Sequence, residues 1–134
     1  MHGKQNLYVV IHYVGAVSTA KNNVDYYARQ KLSASAHYFV DGTSIWQCVE
    51  DGNRAWHCGG GLQGSGGHSF FEKCTNSNSV GIEMCCRKDV SGKWYFEDAT
   101  VRNTVKLTKY LMKKYNIPSE RVIRHYDVTG KICP

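Results

Sequence analysis

The sequence predicts an α/β fold, a mixed central β-sheet flanked by helices, in a single domain that spans residues 1–134. Apolar segments of strand length and amphipathic segments of helix length follow one another in the order β, α, β, β, β, α, β. This order favours helices packed on the faces of a mixed sheet. A chain of 134 residues is long enough for one hydrophobic core, and no internal repeat or linker divides it.

The first half of the chain is predicted to form a buried strand, a helix and a hairpin. The segment LYVVIHY (7–13) is β-branched and almost continuously apolar, as expected of a central strand covered on both faces. Residues 22–34 have apolar positions at helical spacing, with Asn22 or Asn23 as the cap. Residues 37–49 are predicted to be two short strands joined by Asp-Gly-Thr, which is a strong hairpin signal.

The second half begins with a glycine-rich segment, 58–68, which is predicted to be a loop because so many glycines cannot hold regular structure. It is not expected to bind phosphate, because it lacks the Lys-Ser/Thr ending of a phosphate-binding loop. A strand is predicted over 78–86, then a polar turn at Ser91-Gly92, then the longest helix over 98–117, ended by Pro118. The buried stripe of that helix is predicted to contain Val101, Val105, Thr108, Met112 and Tyr115, widened by Leu107 and Leu111. A short strand or extended segment is predicted over 118–127.

The chain is basic, with 17 lysine and arginine residues, 11 aspartate and glutamate residues, and a formal net charge of +6. The positive charges are spread along the chain. This suits a diffuse attraction to an anionic polymer, such as a phosphate-bearing cell-wall glycan, better than a nucleic-acid groove. No helix-turn-helix, zinc-finger or aromatic-basic RNA motif is visible, so we expect no nucleic-acid partner.

The sequence has no signal for membrane insertion or export. No apolar run approaches the ~20 residues needed to span a bilayer. The N-terminal segment MHGKQN lacks the basic-then-apolar pattern of a secretory signal peptide. We therefore expect synthesis in the cytoplasm and, if the protein acts outside a cell, release by another route.

Six cysteines could pair in fifteen ways in an oxidising compartment. The adjacent residues Cys85 and Cys86 argue against this, because neighbours on a strand point to opposite faces and their surroundings are apolar. We expect both to be reduced thiols in the core. Cys58 and Cys74 flank the glycine-rich loop, and a bridge between them stays open.

Two histidines and a cysteine form a candidate metal site: His12 at the end of the first strand, and His125 and Cys133 near the end of the chain. Three protein ligands with one position left for water is the arrangement of catalytic zinc sites. The spacing alone is a weak signal, because neither H-E-x-x-H nor C-x-x-C is present. A hydrogen-bonded surface histidine and a spare thiol are the alternative interpretation.

Glu83 is a second unusual residue, because it lies inside the apolar strand segment VGIEMC. A buried carboxylate is costly unless it is paired, bound to a metal or raised in pKa. A glutamate on a strand can also face solvent, but Gly81 and Cys85 share its face and neither suggests a solvated surface. The sequence therefore indicates a functional carboxylate.

Five segments together resemble the type-2 N-acetylmuramoyl-L-alanine amidases, the zinc amidases of phage endolysins and bacterial autolysins, which are similar to the peptidoglycan recognition proteins. The segments are VVIHYVG (9–15), SAHYFVDGTSIWQCV (35–49), AWHCG (55–59), NSNSVGIEM (76–84) and RHYDVTGKICP (124–134). They occur in family order and at family spacing, and the resemblance covers nearly the whole chain.

The resemblance implies that His12, His125 and Cys133 bind Zn²⁺. Many relatives have aspartate at the position of Cys133 and others have cysteine. Because a thiolate is the softer donor for zinc, this departure is compatible with the site. Recognition proteins that only bind lack the third ligand, so the resemblance implies an enzyme, and residues 1–134 would be its catalytic domain.

The resemblance also implies two catalytic residues. Glu83 matches the acidic position that orients or deprotonates the attacking water, and Lys131 matches the lysine that stabilises the tetrahedral oxyanion. Some relatives use a tyrosine for the first task at the position that Ala36 fills here. Tyr38 is offset by two residues and is expected to pack within a strand.

Three further residues are expected to bind substrate. His37 matches a family histidine that lines the cleft, with a structural hydrogen-bonding role as the alternative. Trp56 and His57 are expected to form part of the substrate wall, although Trp56 could equally belong to the core.

The implied activity is hydrolysis of the amide bond between N-acetylmuramic acid and L-alanine in bacterial peptidoglycan, which would lyse cell walls. The main alternative is a non-catalytic peptidoglycan-binding module. A zinc-bound regulator of another enzyme and a disulfide-rich secreted binder rank lower. Relatives often continue into a cell-wall-binding module, so this chain could be the catalytic domain of a longer enzyme that reaches the wall after lysis or through a holin.

Overall fold

The computed structural model of the chain describes residues 4–29, 35–59, 61–63 and 66–133. Its elements confirm the predicted α/β fold with one mixed sheet of six strands. The strands are β1 (Tyr8–Val17), β2 (Tyr38–Val40), β3 (Ile45–Gln47), β4 (Ser79–Lys88), β5 (Trp94–Tyr95) and β6 (Val122–Arg124). The helices are α1 (Ala20–Arg29), α2 (Asp98–Tyr115) and α3 (His125–Thr129), with a 3₁₀ helix at Ser119–Arg121.

The strand order β3-β2-β4-β1-β6 determines where the chemistry of the molecule lies. Strands β2, β4, β1 and β6 pair in parallel, whereas β3 and β5 add antiparallel ends. The register pairs His12 on β1 with Glu83 on β4, and β6 ends immediately before His125. His12 and Glu83 lie in the middle of their strands, because β1 continues to Val17, beyond the predicted strand end at Tyr13, and β4 continues to Lys88. The shorter β6 ends at Arg124, opposite Ile11, so the next residue, His125, lies beside His12 with 4.8 Å between the ring centroids.

The sheet is covered on both faces, as the apolar segments predict. Successive residues of β1 point to opposite faces, so Val9 packs in the cluster beneath α2 and Val10 packs in a second cluster on the other face. The first cluster contains Ile82 and Leu111, both fully buried. Burying one such side chain contributes about 2 kcal/mol, so these clusters hold β1, which carries His12, in a fixed position.

The buried face of α2 differs from the predicted stripe. Val101 and Val105 are 41% and 45% exposed, whereas Thr100 and Thr104 are buried. The Thr104 hydroxyl donates to the Thr100 carbonyl at 2.8 Å, and Thr108 donates in the same way to Thr104. A threonine whose hydroxyl is satisfied within its own helix can be buried, and the apolar pattern does not reveal this. Leu107 and Leu111 are buried as expected.

Helix α1 begins before the predicted cap. Thr19 precedes the helix, and its hydroxyl accepts the Asn22 N–H at 3.1 Å. The Asp41 carboxylate accepts the Ala20 N–H at 2.9 Å, which places a negative charge at the positive end of the helix. Asn22 and Asn23 therefore lie inside the helix. The predicted continuation over 30–34 lies outside the described residues.

The segment after Pro118 contains a short helix that was not predicted. Only Val122–Arg124 is a strand, and α3 follows at once. Asp127 accepts the Arg124 N–H at 2.9 Å, and Gly130 ends the helix in the left-handed region at φ 84°. A helix of five residues has too little apolar periodicity to be predicted, although its acidic cap and its terminal glycine are both in the sequence. The two-residue strand β5 was also missed.

All six cysteines are free thiols. Cys85 and Cys86 are buried, which confirms the prediction for this pair. Cys58 and Cys74 pack in the same cluster as Val10. Among the described residues, no helix is long and apolar enough to cross a membrane.

Candidate active site

Three distant segments bring His12, His125 and Cys133 together. His12 is on β1, His125 is the first residue of α3, and Cys133 follows α3. One donor atom of each residue lies within 4.8 Å of the donor atoms of the other two. Cys133 Sγ is 3.7 Å from His12 Nδ1, and all three side chains are buried. This group could hold a metal ion.

One atom of the group supports this interpretation directly. His125 Nε2 is buried and has no hydrogen-bond partner among the described residues. An unsatisfied buried polar atom costs about 1–3 kcal/mol, so native proteins rarely keep one without a reason. Two imidazole nitrogens and one thiol sulfur are the borderline-to-soft donor set that suits zinc. The residues therefore fit a metal ion of this class.

The protonation of the two histidines also favours metal binding. Burial, followed by the nearby His57, His125 and Lys131, holds the pKa of His12 well below its usual range. Burial and Lys131 lower the pKa of His125 to about 4. Both rings are neutral near pH 7, which is the form that binds metals.

Cys133 would have to lose a proton on metal binding. Burial raises the pKa of its thiol to about 11, and the Tyr13 N–H, 3.4 Å from Sγ, acts in the opposite direction. A coordinating metal ion deprotonates a thiol outright, so binding should release one proton from this residue.

Glu83 faces the candidate metal ligands from β4. Its Oε2 is 3.8 Å from His12 Nδ1, but the neutral His12 ring makes this contact a close approach rather than an ion pair. Burial raises the pKa of Glu83 to about 8, while Lys131 lowers it. Gly81 and Cys85, which share its strand face, are buried as predicted. Glu83 is thus a carboxyl group of unusually high proton affinity beside the metal ligands.

A cavity of about 280 Å³ opens onto this group. Its lining includes seven of the eight predicted site residues: His12, Trp56, His57, Glu83, His125, Lys131 and Cys133. A larger groove of about 490 Å³ lies along α2, but its lining is mainly aliphatic and Lys109 is its only charged side chain. The smaller cavity is therefore the candidate active site.

His37 is the predicted site residue that does not line this cavity. Its ring is completely buried, and the Gly81 N–H donates to His37 Nδ1 at 3.0 Å. His37 Nε2 lies 2.8 Å from the Asn53 carbonyl, to which its N–H donates. Both ring nitrogens are thus engaged by the backbone, which matches the structural alternative rather than a cleft-lining role.

Trp56 and His57 occupy different parts of the cavity wall. Trp56 is half exposed, and the Arg54 guanidinium lies 4.5 Å from its ring centroid, so it forms an aromatic surface at the rim. His57 is buried, and both of its ring nitrogens face protein atoms, His12 Nε2 and Ser79 Oγ, at 3.0 Å. Contact of these two residues with substrate stays a prediction.

Tyr27 of α1 also lines the cavity, although it is not among the predicted site residues. It stacks on Phe39, and burial, with the nearby Glu83 second, raises the pKa of its hydroxyl. Ala36 and Tyr38, by contrast, are buried in the core, where the Tyr38 hydroxyl donates to Asp51. Only the packing of α1 against the hairpin brings Tyr27 to the site, so no motif could have identified it.

The sequence profile of the N-acetylmuramoyl-L-alanine amidases matches residues 2–134. The chain belongs to this amidase family. The amidase CwlL of Bacillus licheniformis is 34% identical over 139 residues, which cover 94% of this chain and 35% of CwlL. The chain thus spans about a third of the length of this curated relative.

Solved structures of similar fold agree with this assignment to the amidase family. The structure of PlyL has a TM-score of 0.78 at 27% identity and covers 99% of this chain, which spans 76% of PlyL. The E. coli amidase AmiD, solved in complex with the substrate anhydro-N-acetylmuramic acid-L-Ala-D-γ-Glu-L-Lys, has a TM-score of 0.66 at 25% identity. That match covers 96% of this chain and 51% of AmiD.

Proposed function

We propose that the chain is a zinc-dependent amidase that hydrolyses the bond between N-acetylmuramic acid and L-alanine in bacterial peptidoglycan. The observation that carries the proposal is the convergence of three metal-binding side chains, Glu83 and Lys131 on one cavity. Membership of the amidase family supports the reaction class, and the muramyl peptide bound to the similar AmiD supports the substrate class.

The metal would be held by His12 Nδ1, His125 Nε2 and Cys133 Sγ. Three protein ligands would leave one position for water, as catalytic zinc sites require. When bound, zinc lowers the pKa of water to about 7 and polarises a carbonyl oxygen.

Glu83 would move the proton. A carboxyl group with a pKa near 8 binds a proton more strongly than an exposed glutamate, and an acid–base catalyst works best when its pKa is close to the operating pH. Its ionised form would take the proton of the attacking water. Its protonated form would then donate to the nitrogen of the leaving L-alanine, so that the amide bond breaks with an amine as the product.

Lys131 would stabilise the charge that develops on the carbonyl oxygen of the substrate. Its side chain lines the cavity with Glu83, close enough to affect the pKa values of Glu83 and His125. A positive charge aimed at a developing oxyanion is typically worth about 3 kcal/mol of barrier, or 10²- to 10³-fold in rate.

The decisive experiment is digestion of purified peptidoglycan with the zinc-loaded protein, with the products identified by mass spectrometry. We expect peptides that begin with L-alanine and a glycan freed of peptide. Glu83→Gln should bind zinc but release at least about a hundredfold less peptide, whereas the exposed Glu120→Gln should behave as wild type. New reducing sugar ends would indicate a glycosidase, and binding without release would indicate a recognition module; either result would overturn the proposal.

A further inference from the structure

A chain of buried hydrogen bonds leads from the candidate metal ligand His12 to the protein backbone. His12 Nε2 is 3.0 Å from His57 Nδ1, and His57 Nε2 is 3.0 Å from Ser79 Oγ. The Ser79 hydroxyl is 2.5 Å from the carbonyl oxygen of Thr75. His12, His57 and Ser79 are all buried, so water does not compete for these contacts.

The last acceptor orients the chain of hydrogen bonds from its Ser79 end. A carbonyl oxygen can only accept, so Ser79 donates its single proton to Thr75. The Ser79 oxygen therefore accepts from His57 Nε2–H at 3.0 Å. Cys58 Sγ lies farther from the same oxygen, at 3.8 Å, and a thiol is a weak donor. In its Nε2–H tautomer, His57 has a lone pair on Nδ1, which accepts from His12 Nε2–H. His12 Nδ1 is left without a proton on the side that faces Cys133 and Glu83.

The surroundings hold the His57 ring rigidly. The side-chain oxygen of Asn76 accepts the backbone N–H groups of both His57 and Cys58, at 3.0 and 2.9 Å. The ring lies where a side chain on Gly81 would be, because a Cβ there would be 2.6 Å from His57 Cγ. Gly59 makes similar room for Asn76, whose Nδ2 would lie 2.5 Å from a Cβ at that position. Two glycines thus leave space for this arrangement.

We propose that His57 is a positioning residue that fixes the tautomer and orientation of His12 for metal binding. Metal-binding histidines commonly donate their second N–H to a carboxylate, a carbonyl or water. In this protein the acceptor is the imidazole of His57, and the hydrogen bond with Ser79 determines the tautomer of His57. The inference rests on the proposed metal site, but it concerns the ligand geometry and not the reaction.

The test compares two substitutions of His57 that differ in one hydrogen bond. Asparagine offers a side-chain oxygen near the position of Nδ1 and can still accept from His12, whereas leucine has similar bulk and no acceptor. We expect His57→Leu to weaken Zn²⁺ binding by about 10- to 100-fold, measured by competition with a chelator, and His57→Asn to lose less. Ser79→Ala should weaken binding in the same direction. His68→Asn, at a histidine that does not line the cavity, is the control.

A second measurement separates positioning from a general structural defect. Long-range ¹H–¹⁵N spectra of the metal-free wild type should show His12 protonated at Nε2 only, and His57→Leu should lose this preference. Equal Zn²⁺ affinity in wild type and His57→Leu would overturn the proposal, as would equal losses in the leucine and asparagine variants. So would a His12 ring protonated at Nδ1 in the wild type. None of these measurements uses peptidoglycan, so failure of the proposed reaction would not be mistaken for failure of this inference.

Discussion

Gly81→Ala should damage both the stability of the protein and its metal site, although it adds only one methyl group. The added Cβ would lie 2.6 Å from His57 Cγ and 2.7 Å from His57 Nδ1, well inside van der Waals contact. The ring cannot turn away without breaking its bonds to His12 and Ser79. Overpacking of this kind costs about 1–3 kcal/mol, so we expect a loss of about 2 kcal/mol in the free energy of unfolding.

The matched control is Gly52→Ala, because a Cβ on Gly52 would have no neighbouring atom within 4 Å. Urea unfolding of both metal-free variants measures the stability difference, and chelator competition measures Zn²⁺ affinity. Displacement of His57 should disturb its hydrogen bond with His12, so Gly81→Ala should bind Zn²⁺ about 10-fold or more weakly. Gly52→Ala should bind Zn²⁺ as wild type does. If both variants unfold within about 0.5 kcal/mol of wild type and bind Zn²⁺ equally well, the packing argument is wrong.

Substitutions of Lys131, His37 and Asp51 test the site, a buried histidine and a core hydrogen-bond network in turn. Lys131→Met should still bind zinc but release peptide at least about 10²-fold more slowly, whereas Lys109→Met should release peptide at the wild-type rate. Equal activity in the two variants would exclude oxyanion stabilisation by Lys131. The pKa of His37 is lowered from 6.5 to about 4, chiefly by burial, so the unfolded chain takes up its proton first as the pH falls. The stability that this residue contributes is complete above pH 6.5 and should drop by about 3 kcal/mol by pH 4. Urea unfolding of His37→Asn should therefore show a pH dependence that is smaller by this amount, because only the contributions of other groups, such as His12 and His125, remain. Asp51→Ala should lower the free energy of unfolding in urea by about 3 kcal/mol, because two tyrosine hydroxyls donate to this buried carboxylate at 2.7 and 2.6 Å. The control Asp25→Ala should lower it by less than about 0.5 kcal/mol. Similar losses in the two variants would refute the stabilising role of this hydrogen-bond network.

The sequence predicts the sheet better than the helices. β1 and β4 are long apolar segments covered on both faces, and such segments have few alternatives to a central parallel strand. The stripe of α2 was misassigned because the Thr104 hydroxyl donates to the Thr100 carbonyl inside the helix, so a threonine can replace valine in the core. α3 was missed because five residues held by Asp127 carry almost no periodic signal.

The candidate site could be predicted only in part. The residues alone mark His12, His125 and Cys133 as unusual, but their convergence depends on the pairing of β1 with β6, which spacing does not reveal. The resemblance to the amidases implied that these three residues bind one metal ion. The resemblance did not predict the hydrogen bonds that link His57 through Ser79 to the backbone, because these depend on which ring nitrogen faces which atom. For His37 the resemblance left both a cleft-lining role and a structural role open, and the partners of its ring nitrogens favour the structural role.

X-ray absorption spectroscopy of the zinc-loaded protein identifies the atoms that bind the metal. We expect one bound Zn²⁺ per chain with one sulfur ligand at about 2.3 Å and two nitrogen ligands at about 2.0 Å. Cys133→Ser should remove the sulfur contribution. A zinc ion bound without sulfur, or one that keeps its sulfur ligand in Cys133→Ser, would contradict the account.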